Sequence, residues 1–168
     1  MYLRTTSIPE TMKKHKSKKN TILKSLAGGL AGACVLTLVH ETMRRINPDA
    51  PRMDLLGMRA IAKTMRAANA EPPAEEKLFG ITMAGDIISN ALYYSLAGSD
   101  KNAWLRGSLL GLAGGIGGVA LPGPLGLGTA PSGRTPQTKV MTVAWYLIGG
   151  LAAAATARGI EKLLDSKN

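Results

Sequence analysis

The chain's 168 residues hold 21 Lys and Arg against 11 Asp and Glu, a net charge of +10, and one cysteine, Cys34. A single cysteine excludes an intrachain disulfide framework. The charges crowd into residues 1–24, 41–77 and 158–168, so that mean hydropathy is only +0.05 although residues 140–157 and 107–133 carry no charge at all. An amphipathic soluble bundle would instead show charges every three or four residues.

Residues 1–20 read as a basic, disordered tail. Lys13, Lys14, Lys16, Lys18 and Lys19 crowd together with no aromatic residue interleaved for base stacking. The cluster is therefore read as a topology signal that attracts anionic lipid headgroups rather than as a nucleic-acid site. The first apolar stretch follows, expected to span about 22–43, with Asn20 or Thr21 as its cap and Lys24 snorkelling to the headgroups. The run at 31–34, Ala-Gly-Ala-Cys, faintly resembles a lipoprotein cleavage site. Apolar residues continue beyond Cys34 to Val39, so the segment reads as a retained anchor.

Residues 54–68 differ in character. Met58, Ile61, Ala62 and Met65 share one helical face, while Arg59, Lys63 and Arg66 share another. That is the form of an interfacial helix with a basic side facing anionic headgroups. A connecting helix packed on the bundle ends fits the same pattern. Pro73, Glu75 and Glu76 then open a second span, about 77–98, stopped by Gly98. The turn through Ser99 and Asp100 is so short that the third span, about 103–121, is expected antiparallel beside the second, with Trp104 at the interface. Pro122-Gly123-Pro124 ends it. The loop to residue 134 could dip into the interface through Leu125 and Leu127, and Thr135-Pro136 starts the fourth span, about 138–158. Residues 165–168 form a C-terminal tail.

A spanning helix needs about 20 mostly apolar residues, and the bilayer core leaves no backbone group unpaired. The expected fold is therefore all-α: one domain, 21–164, built as an integral membrane bundle of four transmembrane helices plus one amphipathic interfacial helix. With the N-terminus inside, the inner segments hold twelve Lys and Arg and the outer segments nine. The dense tail favours a cytoplasmic N-terminus in a bacterial-type inner membrane, while the basic 54–68 helix pulls the other way.

Packing is expected through glycine. Gly107, Gly111 and Gly115, and separately Gly114 and Gly118, recur every four residues, and Gly28 with Gly32 gives the first helix a similar seam. Such grooves let membrane helices approach closely.

Asp86 is the sharpest chemical clue, because a carboxylate near the bilayer centre costs about 2.5–3.5 kcal/mol on insertion scales and should face protein or water. Thr82, Asp86, Asn90 and Tyr94 follow at intervals of four, with Ser89 and Tyr93 alongside. They predict a polar stripe that is either a proton, cation or solute site or a set of interhelical clamps. His40, Glu41, Arg44 and Arg45 form a second candidate, a charged network at the membrane surface. His40-Glu41 resembles the start of a zinc-protease motif, but the second histidine would fall at Arg44. No nucleophile–base pair, phosphate loop or metal-ligand cluster is recognisable, so neither an enzyme nor a cofactor is expected. The expected role is a structural or accessory membrane component that associates with itself or a larger complex. The alternative is a small transporter or channel-like protein using Asp86.

Overall fold

Glycine and alanine on the last helix decide how the chain packs. The computed structural model describes the backbone of residues 10–166 and the side chains of 20–166. It holds six helices: α1 (Glu10–Ile46), α2 (Met53–Ala67), α3 (Glu75–Ser95), α4 (Ala103–Ala120), α5 (Ala130–Gly133) and α6 (Pro136–Asp165). No strand occurs among the described residues. α1 begins at Glu10, well before the expected Asn20 cap, while the lysine side chains of 13–19 lie outside the described residues.

Several helix ends follow from local chemistry. Thr135 caps α6 by accepting the Thr138 N–H at 3.0 Å, and Pro136 fits the first turn, where its missing N–H costs nothing. Glu75 and Glu76 oppose the positive end of the α3 dipole. Beyond α3, Gly98 adopts φ +71°, a conformation natural to glycine. Asp100 accepts the Asn102 N–H at 2.8 Å just before α4, while the Ser99 hydroxyl turns away to Glu161.

The small face of α6 (Gly149, Gly150, Ala153, Ala154, Ala157) lies between α1 and α4. A methyl group on Gly28 would sit 2.6 Å from the Ala153 carbonyl oxygen, and one on Gly32 would sit 2.5 Å from that of Gly149. On the opposite side a methyl on Gly107 would lie 2.5 Å from the Gly150 carbonyl oxygen, and methyls on Gly111 and Gly115 would lie 2.6 Å from the Cα atoms of Leu147 and Val143. All of these are closer than real Cβ contacts, so backbone meets backbone along both seams. Gly29 faces Ala91 and Ser95 of α3 in the same way.

The resulting order is α3–α1–α6–α4. This corrects the expectation that the third helix returns beside the second: the turn is short, but α4 leans away to α6. Gly107, Gly111 and Gly115 of α4 meet the α6 backbone, and the α3 side offers the bulky Tyr93 ring instead. Gly114 and Gly118 do not form a second seam. They face the rings of Tyr146 and Tyr93 and the Thr142 methyl.

Two helices, Asn20–Ile46 within α1 and Pro136–Asp165, are long and apolar enough to cross a membrane. α3 and α4 do not meet that measure of length and hydropathy. Large apolar side chains nevertheless point outward from all four long helices, among them Leu38, Ile88, Leu92, Leu109, Ile116 and Val140.

α2 packs on α3, with Leu56 buried and Gly57 against Thr82. The 122–134 loop lies over its basic side rather than standing free. Arg59 donates to the Leu127 carbonyl at 2.9 Å and Lys63 to that of Leu125 at 2.6 Å. Gly126 (φ +67°) and Gly128 (φ +84°) supply the turns that present those carbonyls.

The seam makes a clear contrast. Gly150→Leu drives a side chain into the Gly107 backbone and should lower stability by about 1–3 kcal/mol or abolish folding. Gly85→Ala, where nothing lies within 4 Å, should be neutral or raise it by roughly 0.5–1 kcal/mol. Thermal unfolding in detergent checks both.

Candidate functional site

The stripe on α3 divides into groups with different partners. Thr82 is buried and returns its hydroxyl hydrogen to the Leu78 carbonyl at 2.8 Å. Asp86 is half-buried and accepts the Asn90 amide at 3.0 Å, which joins these two as expected. Ser89 is exposed and bonds the Asp86 carbonyl of its own helix at 3.1 Å, so it does not join the interior.

The tyrosines clasp other helices. Tyr93 donates to the Leu110 carbonyl of α4 at 3.0 Å, and Tyr94, fully buried, donates to the Tyr146 carbonyl of α6 at 2.8 Å. Tyr94 also stands against Gly149, so the position without a side chain makes room for its phenol. Of the six stripe residues, only Asp86 and Asn90 hydrogen-bond side chain to side chain, while the Tyr93 and Tyr94 rings meet at 5.6 Å and their hydroxyls are committed to holding helices together.

The second candidate also divides. Glu41 accepts two bonds from Arg44, at 2.8 and 2.6 Å, a bidentate and charge-assisted pair. Arg45 reaches Glu41 only at 3.9 Å and is largely exposed, so it contributes little. His40 is not part of this network, contrary to expectation. It is buried, with its ring 5.0 Å from Trp145 and 5.9 Å from Tyr146, and Nε2 has no hydrogen-bond partner. Successive helical residues point about 100° apart, which sends His40 to the α6 side and Glu41 toward α2.

The network extends instead to Asp54, the first residue of the expected 54–68 helix. Arg52 grips its carboxylate at 2.9 and 2.7 Å, and Arg44 stands 3.8 Å away. Arg44 also lies over the Phe79 ring at 5.6 Å, tying α1, α2 and α3 together at one point. Burial alone would raise the Asp54 pKa. The Arg52 hydrogen bonds and charge, the Leu55 N–H and the Arg44 charge outweigh it and hold the carboxyl below the ordinary 3.8.

A further cluster at the opposite end also escaped the sequence reading. Lys24 pairs with Glu161 at 2.8 Å, Glu161 accepts the Ser99 hydroxyl at 3.1 Å, and Arg158 donates to the Ser99 carbonyl at 3.0 Å. These bonds join α1, α6 and the α3–α4 turn. Lys24 is thus an ion-pair partner and not a free snorkelling lysine. An acid and a base 137 positions apart give no local signal of such a pair.

Among the described residues no group of three His, Cys, Asp or Glu side chains is placed to hold a metal ion. Comparison with protein-family models, curated proteins and solved structures finds no match.

Asp54→Asn leaves Arg52 and Arg44 without their shared anion and should cost about 1–3 kcal/mol. A depressed pKa adds stability that is complete above 3.8 and lost as pH falls through the lower folded value. The difference between wild type and variant should therefore be flat from about pH 5 to pH 8 and shrink only in strong acid. Thermal unfolding across that range reads it.

Proposed function

We propose that the protein is an integral membrane protein crossed by α1, α3, α4 and α6, and that it serves as a non-enzymatic structural or accessory component of its membrane. One observation carries the reading: small residues fill the interior seams while large apolar residues face outward on all four long helices. A water-soluble fold places them the other way round. At 1.5 Å per residue, the 21 residues of α3 and 18 of α4 give about 32 and 27 Å, close to the roughly 30 Å hydrocarbon core. Lengths alone thus permit four crossings. α2 and the 122–134 loop would then lie at one membrane face, and the Lys24–Glu161 cluster at the other.

The committed hydroxyls of Tyr93 and Tyr94 favour the structural role, in which polar groups clamp helices instead of lining a path. Asp86 supports a competing role in proton or solute handling, because its half-buried carboxylate has Asn90 as its side-chain hydrogen-bond partner.

Two measurements separate these readings. The full chain should stay in membranes through alkaline carbonate and leave only with detergent, and release by carbonate would contradict the membrane assignment. Asp86→Asn should keep assembly and change stability by only about 0.6 kcal/mol, the average for an intramembrane polar contact. Loss of a proton or solute flux in proteoliposomes on the same substitution would instead establish transport.

A further inference from the structure

Six of the eleven described cations outside α2 have an acid beside them: Lys24 has Glu161, Arg44 and Arg45 share Glu41, Arg52 has Asp54, Arg106 has Asp100 and Arg134 has Asp49. Arg59, Lys63 and Arg66 differ. They recur at i, i+4 and i+7 on one face of α2, and no carboxylate among the described residues pairs with any of them. Arg59 and Lys63 each give one hydrogen to a loop carbonyl, which fixes the two side chains and leaves their other donors free. The Arg66 side chain makes neither a hydrogen bond nor an ion pair with a described residue.

The three cations rim a cavity of about 470 Å³ between α2, the start of α3 and the 126–127 turn. Its wall is apolar, formed chiefly by Leu55, Met58, Leu78 and Leu127. A pocket with a cationic rim and an apolar wall matches a ligand that carries an anion on a hydrocarbon chain. Free phosphate would satisfy the rim and leave the wall wet, whereas a neutral lipid would satisfy the wall and leave the uncompensated cations together.

We propose that this cavity binds one anionic phospholipid, its phosphate held by Arg59, Lys63 and Arg66 and an acyl chain laid against Met58, Leu78 and Leu127. The site rests on the membrane reading above, which places α2 at the interface where headgroups lie. It goes further than diffuse attraction, since it predicts one lipid at one place.

The test uses the full chain in mild detergent, titrated with phosphatidylglycerol or phosphatidylcholine and followed by native mass spectrometry. One phosphatidylglycerol should remain bound per chain and phosphatidylcholine should not. Arg66→Gln, which disturbs no contact of the fold, should weaken retention about tenfold, as expected for one lost charged hydrogen-bond donor. Met58→Trp, which fills the cavity but keeps all three cations, should also remove the lipid. Neutralising the lysines of 13–19 should leave retention unchanged.

Wild-type retention in both Arg66→Gln and Met58→Trp would overturn the site. So would loss of lipid on neutralising the tail, which would mean diffuse attraction, or displacement by glycerophosphate as effective as by whole lipid, which would mean a free-phosphate pocket. A chain that survives carbonate but keeps no lipid refutes the site alone. A chain released by carbonate refutes the membrane reading beneath it.

Discussion

The close approach of three backbones along α6 is the constraint on which the rest of the structure depends. Gly28 and Gly32 reach α6 from one side, and Gly107, Gly111 and Gly115 reach it from the other. Where a carbonyl oxygen occupies the place of a side chain, no larger residue can be accommodated by repacking. Helices that associate in lipid have little hydrophobic drive between them and rely on such shape fit and on interhelical hydrogen bonds. Here the two devices combine: Gly149 opens the space in which Tyr94 reaches the Tyr146 carbonyl.

Charge works at the ends of the assembly and not along its middle. Lys24, Glu161, Ser99 and Arg158 tie three elements together at one end. At the other, Glu41, Arg44, Asp54 and Arg52 tie α1 to α2, and Arg44 meets Phe79 of α3. Polar atoms between these ends are spent on helix backbones. Asp86 with Asn90 is an exception, and the buried Nε2 of His40 and Oγ1 of Thr37 have no hydrogen-bond partner.

Much of the secondary structure is readable in the sequence, because its signals are local. Thr135-Pro136, Pro73 with Glu75, and Gly98 each act within one turn of the chain, and α6, α3 and the turn after α3 follow them. Glycine spacing likewise reveals a groove, but a groove does not name its partner. Gly107, Gly111 and Gly115 could have faced α3, and only the width of Tyr93 against the bareness of Gly150 directs them to α6. The candidate sites were legible in part for the same reason. Asn90 lies one turn from Asp86 and is found from spacing alone, whereas the Tyr94–Tyr146 and Arg44–Asp54 contacts join separate elements. His40 was misplaced because its charged neighbours in sequence are not its neighbours on the helix surface.

In the proposed membrane arrangement the α6 seams hold four crossing helices, with α2 and the 122–134 loop at one face. Single-cysteine accessibility tests it most directly, in sealed vesicles and in a Cys34→Ala background, with cysteines placed in turn at Asp49, Gly133 and Asp100. A membrane-impermeant thiol reagent should label Asp49→Cys and Gly133→Cys from the same side and Asp100→Cys only from the opposite side. Labelling of all three from one side would contradict the account, because α3 and α4 would then not cross.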